Sequence, residues 1–119
     1  MLIVDDDESH CFLLSMLLKK HGISLIAAPN GKEAQKVLDE KDDFDGMIID
    51  LMMPVMDGKQ FLTWLRNEKG YTGPAIMISA AVSEQRIEEE QLGELTPYIA
   101  RKPISSAAFE ELVKQAGIL

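Results

Sequence analysis

"IIDLMMPVMDGKQFL", residues 48–62, runs an apolar strand straight into a carboxylate. The continuous run ending at Ile49 does not alternate with polar residues, as expected of a parallel strand covered on both faces. Asp50 stops it. A Met-rich loop containing Pro54 follows, and Asp57 with Gln60 three residues later forms a capping box ahead of Phe61, Leu62 and Leu65, the inward face of a helix. The stretch therefore reads as strand, acid, loop, helix. A lone Asp in this place is an ordinary loop residue, so the rest of the chain decides what Asp50 does.

Outward from this unit the same alternation repeats. "LIV" (2–4) is a short strand ending in acid, and Glu8 to His21 has helical period, stopped by Gly22. "SLIAA" (24–28) reads as a second strand, and Asn30 with Glu33 caps a helix presenting Ala34, Val37 and Leu38 on one face. The third strand spans 46–50. Gly70, Gly73 and Pro74 break the chain before a fourth strand, "AIMIS" (75–79). An acidic helical segment, 83–95, precedes a weak fifth strand, "YIA" (98–100). Ser105 or Ser106 then starts a last helix with Phe109, Leu112, Val113 and Ala116 at i, i+3, i+4 and i+7. Five strands alternating with five helices predict an α/β fold, a doubly wound (βα)5 with a parallel five-stranded sheet.

The 119 residues fit one domain, 1–119, with 46% hydrophobic and 27% charged residues, ordinary for a soluble globular protein. A net charge of −8 argues against a nucleic-acid surface, which needs clustered Lys and Arg. The single cysteine, Cys11, fits a reducing compartment. No apolar stretch is long enough to span a bilayer, and "DDDE" (5–8) is unlike a secretory leader. The expected location is cytoplasmic, with no membrane partner.

Open parallel sheets bind ligands at the carboxyl ends of their strands. Those ends carry Asp5, Asp6 and Asp7 after strand one, Asp50 after strand three, Ser79, Ala80 and Ala81 at strand four, and Lys102 and Pro103 after strand five. Carboxylates brought together repel unless a cation joins them. The ligands on offer are hard oxygens with no His or Cys at ligand spacing, which suits Mg²⁺ or Mn²⁺ rather than zinc. An Asp beside such an ion can attack phosphorus to give an acyl phosphate, with the ion, Lys102 and Ser79 available to stabilise the phosphoryl oxygens. Residue types alone leave open which Asp is attacked.

With these residues in view, the chain resembles the receiver domain of two-component response regulators, chemotaxis regulators among them, over essentially its whole length. "LIVDDDE" (2–8), "IIDLMMPVMDG" (48–58), "IMISA" (76–80) and "RKPIS" (101–105) carry the likeness, in the family's order and near its spacing. The resemblance implies the flavodoxin-like strand order 2-1-3-4-5. It implies that Asp50 accepts the phosphoryl group from a histidine kinase or phosphotransfer protein. Asp5 and Asp6 would hold the metal together with Asp50, Asp5 largely through water, and the backbone carbonyl of Met52 would be a further ligand. Ser79 would move to the phosphoryl group and Lys102 would pair with it. The Lys102–Pro103 peptide would be cis.

One departure concerns the aromatic switch residue that the family often has three positions before the lysine. Ile99 stands there, and Tyr98 is one place earlier. Strand side chains alternate faces, so either a bulge brings Tyr98 to the switch position or the aromatic part of the switch is missing; the second is the expectation.

Other residues have plainer readings. Asp7 and Glu8 suit the first turn of a helix. His10 and His21 read as ordinary helix residues, with His10 near the place where a kinase docks in the family. Cys11, Phe12, Leu13, Leu14, Met16, Leu17 and Leu18 exceed what one buried helix face needs, so some should reach the surface and serve the same contact. The apolar Met52 side chain is expected to hinder the water that hydrolyses an acyl phosphate. A phosphatase of the haloacid dehalogenase type needs an acid at that position, so Met52 argues against turnover; the domain is expected to catalyse at most its own phosphorylation and dephosphorylation. A receiver-like scaffold that binds partners without phosphorylation is the alternative. The ending "KQAGIL" (114–119) and the strand beginning at Leu2 fit a stand-alone receiver or one cut from a larger protein.

Overall fold

Three-residue apolar strands cannot hold themselves together; here each is pinned by parallel partners, and the central ones are covered by helices on both sides. The structure, a computed structural model, describes residues 1–53, 55–80 and 83–119, so Pro54 and Ala81 lie outside the described residues. The elements are β1 (Leu2–Val4), α1 (Glu8–Lys19), β2 (Ile26–Ala28), α2 (Gly31–Glu40), β3 (Met47–Ile49), α3 (Gly58–Asn67), β4 (Ala75–Ser79), α4 (Glu84–Glu89), β5 (Tyr98–Arg101) and α5 (Ser106–Gln115). All strand pairs are parallel, in the order β2-β1-β3-β4-β5. This is the flavodoxin-like order.

Alternation along the strands sorts the core into two layers. Val4, Ile49 and Met77 face α2 and α3 through Ala34, Leu38, Phe61, Leu62 and Leu65. Ile3, Ile48, Ile76 and Ile78 face α1 and α5 through Leu14, Leu18, Phe109 and Val113. Each such fully buried side chain contributes about 1.5–3 kcal/mol relative to exposure.

The helices begin where their caps say. Asp7, Asn30, Asp57, Ser83 and Ser105 each accept a backbone N–H three residues on, and Asp57 with Gln60 completes the reciprocal box. Five boundaries differ from expectation, one of them the third strand, which spans Met47–Ile49 rather than 46–50. The first helix stops at Lys19 rather than His21, with Gly22 at φ 74° just beyond. The second strand starts at Ile26 rather than Ser24, and as an edge strand it leaves Ile26 and Ala27 exposed. The fifth strand runs on to Arg101, one residue past the expected end, because Arg101 pairs with Ser79. The acidic segment expected as one helix over 83–95 is divided: α4 ends at Glu89, Gln91 takes a left-handed φ of 55°, and a 3₁₀ turn covers Leu92–Glu94. The break lets Leu92 bury completely, which outweighs continuing a helix crowded with glutamates.

Candidate functional site: an acidic pocket at the carboxyl edge

The parallel register brings the ends of β1, β3, β4 and β5 to one edge, and their next residues share a pocket. Oxygens of Asp5, Asp6 and Asp50 all lie within 4.8 Å of one another, the carboxylates of Asp5 and Asp50 buried and that of Asp6 exposed. Lys102 Nζ reaches Asp5 Oδ2 at 2.9 Å and Asp50 Oδ2 at 3.3 Å. The Met52 N–H donates to Asp50 Oδ1 at 3.3 Å, and the Ser79 hydroxyl is hydrogen-bonded to Asp50. The Lys102–Pro103 peptide is cis. Ala80, next to Ser79, is exposed.

The two buried carboxylates are driven in opposite directions. For Asp5, burial works to raise the pKa, but bonds from His10, the Asp7 N–H and Lys102 outweigh it and pull it from 3.8 to about 2. For Asp50, burial, the largest cause, and the charge of Asp5 raise the pKa; the Ser79 hydroxyl, Lys102 and the Met52 N–H offset this only in part. Burial works against the charge of Lys102, and the two aspartates more than compensate, so its pKa is raised. One lysine thus serves two carboxylates and leaves Asp50 short of positive charge. Three clustered oxygen donors with no thiolate among them fit a hard divalent cation, which keeps waters and takes one or two carboxylates.

A likeness to known proteins decides the family. The profile of the response regulator receiver domain matches residues 1–114. The chain belongs to the response regulator receiver domain family. An uncharacterised 14.6 kDa protein of Leptolyngbya boryana is 33% identical to this receiver over 116 residues, covering 97% of this chain and 87% of the relative. The transcriptional regulatory protein SrrA of Staphylococcus aureus is 37% identical over 94 residues, 78% of this chain and 38% of SrrA. The receiver thus spans well under half the length of that relative. Among solved structures, the receiver domain of the Francisella response regulator 1452 superposes with a TM-score of 0.80 at 31% identity, covering 98% of this chain and 92% of that one.

The register between β4 and β5 is regular, pairing Ile76 with Tyr98 and Met77 with Ile99, without a bulge among the described residues. Tyr98 accordingly packs on the α1–α5 side and Ile99 on the opposite side, against the cluster that includes Leu92. The face next to α4 therefore carries Ile99, not the aromatic ring.

Three features of this receiver's site differ from the sequence expectation or add to it. His10, expected as an ordinary helix residue, places Nδ1 2.8 Å from Asp5 Oδ2. Its position five residues after Asp5, in the first turn of a helix capped by Asp7, was the available signal. Gly58 packs under Asp50: an added Cβ would lie 2.2 Å from the Asp50 carbonyl oxygen. Cys11 sits against the Asp5 carbonyl at 3.7 Å, and burial, then Asp5 and Asp7, push its thiol up to about 11, which leaves it unreactive.

Proposed function

We propose that residues 1–119 act as a phospho-acceptor switch, taking a phosphoryl group from a histidine kinase or phosphotransfer protein onto Asp50 with Mg²⁺ or Mn²⁺ as cofactor. The observation that carries this is the charge imbalance at Asp50: a buried carboxylate with a raised pKa, sharing one ammonium with Asp5. Asp5, Asp6, Asp50 and the Met52 carbonyl would hold a divalent cation, which would supply the missing charge and a Lewis acid for the phosphoryl oxygens.

In the step itself an Asp50 carboxylate oxygen forms the O–P bond as the N–P bond of the donor breaks; the departing imidazole keeps that bond's electron pair and takes a proton from solvent. Lys102, already within 3.3 Å of Asp50, stays beside the transferred group and balances its charge. Ser79 exchanges its bond to the carboxylate for one to a phosphoryl oxygen. That exchange biases a two-state equilibrium of the β4–α4 and β5 surface, with Ile99 rather than Tyr98 as the side chain on the responding face.

The donor protein fits over α1. Phe12, Leu13 and Met16 are 68%, 46% and 55% exposed, more apolar surface than one helix ordinarily leaves to water. Leu13 also lines a shallow cavity of about 430 Å³, with His10, Ala80, Lys102, Pro103 and Ile104. Neither a nucleic acid nor a membrane surface suits a chain of net charge −8.

Incubation with acetyl phosphate and Mg²⁺ followed by intact-mass measurement tests the reading. One added phosphoryl group, absent in Asp50→Ala, is expected. Continuous release of phosphate would instead indicate a phosphatase, and an unmodified protein a scaffold; either result overturns the switch.

A further inference from the structure

The Asp5 carboxylate is held from three sides. Oδ1 accepts the Asp7 N–H at 2.9 Å, and Oδ2 accepts Lys102 Nζ at 2.9 Å and His10 Nδ1 at 2.8 Å. Lys102 is shared with Asp50, so its single charge is divided between two carboxylates. His10 has no second partner among the described residues: its side chain is 9% exposed, and Nε2 is buried without a hydrogen bond. A ring that buries one unbonded nitrogen is unfavourably placed, and its bond to Asp5 is what compensates. Because Asp5 is ionised, Nδ1 must be the donating nitrogen.

Two fixed points define a carboxylate plane. The Asp7 N–H holds one oxygen, and His10 with Lys102 holds the other; Lys102 is divided between Asp5 and Asp50, so His10 is the partner of Oδ2 that Asp5 does not share with Asp50. Asp6, by contrast, is exposed. We propose that His10 is a positioning residue: it fixes the orientation of Asp5 toward the acidic pocket and so sets the pocket's affinity for a divalent cation. This rests on the receiver reading above. Partners that orient a ligand from behind typically change metal affinity by ten- to a hundredfold when removed.

The geometry separates a positioning role from mere packing. The amide nitrogen of Asn falls near Nδ1 of the replaced ring, whereas that of Gln reaches toward Nε2. The test is calorimetric titration of Mn²⁺ into unphosphorylated, metal-free protein for the wild type, His10→Asn, His10→Gln and His10→Leu. Affinity is expected to fall about tenfold in His10→Leu and His10→Gln and to stay within about twofold of wild type in His10→Asn. If His10→Leu does not fold, the Asn–Gln pair carries the comparison. Equal affinity across the set, with a wild type that binds Mn²⁺, overturns the role of His10 and leaves the receiver reading intact. A wild type that binds no Mn²⁺ overturns both.

Discussion

Lys102 Nζ meets Asp5 Oδ2 at 2.9 Å, joining two residues 97 positions apart in the chain. The contact closes the acidic pocket, because the same ammonium lies 3.3 Å from Asp50. Removing it leaves two neighbouring buried carboxylates unneutralised. Lys102→Met is expected to lose about 2 kcal/mol of stability in EDTA, less than for a fully buried broken pair because the lysine is partly open to solvent. Urea unfolding with and without Mg²⁺ checks this; Mg²⁺ should recover part of the loss, and unchanged stability in EDTA would count against the pairing.

The opposed pKa values of Asp5 and Asp50 give opposite pH signatures. Asp5, lowered to about 2, contributes stability that is present above its unfolded pKa near 3.8 and lost as pH falls toward 2. Asp50, raised, destabilises the folded state at pH 7, and that penalty is relieved as pH falls through its raised pKa, above 3.8. Asp50→Asn should therefore melt at a higher temperature than wild type at pH 7 without metal. The difference should shrink as pH falls toward the ordinary carboxylate range. A lower melting temperature at pH 7 would contradict the charge imbalance at Asp50.

Gly58 stands at a close approach rather than at a special φ. Its N–H donates to the Leu51 carbonyl at 2.9 Å, and an added Cβ would fall 2.2 Å from the Asp50 carbonyl oxygen and 2.7 Å from the Leu51 Cα. Both are backbone atoms that cannot step aside cheaply. Gly58→Ala should cost about 2–3 kcal/mol by urea unfolding, and it should slow phosphorylation by acetyl phosphate because Asp50 moves. Gly93→Ala, with nothing within 4 Å, is the control.

Val55 holds φ at 72° although it is β-branched, a conformation that costs roughly 1–2 kcal/mol. Its side chain is 75% exposed, so little packing is lost on replacement. Val55→Asn should raise stability by about 1 kcal/mol. A loss of stability would mean that the valine makes up for its backbone elsewhere.

Met52 is 56% exposed, and Arg86 Nη1 lies 3.7 Å from its sulfur. An apolar side chain two residues from Asp50 impedes water, and a polar one offers it a hydrogen bond. Met52→Asn is expected to speed loss of the phosphoryl group about tenfold, a change of about 1.4 kcal/mol in barrier. Unchanged decay of the phosphorylated mass would remove Met52 from that role.

Much of this architecture was legible because its causes are local. The Asp57–Gln60 box, the Asn30 and Ser105 caps, and the apolar runs at 47–49 and 75–79 depend on neighbours within a few residues. The convergence of Asp5, Asp6, Asp50, Ser79 and Lys102 was legible for a general reason: parallel strands place their carboxyl ends together. The division of the acidic helix was not, because burial of Leu92 against the sheet decided it.

The sequence by itself determined the alternation of strands and helices, their caps, and which side chains arrive at the carboxyl edge. Only the tertiary structure decided how those groups share one another. It gave Lys102 to both aspartates, lowered Asp5 while raising Asp50, set Ile99 rather than Tyr98 on the α4 side, and turned His10 onto Asp5. The physical reason is range. Caps and periodicity are read from neighbours within about four residues, whereas a hydrogen bond or a pKa depends on whatever the folded sheet brings within about 3–6 Å.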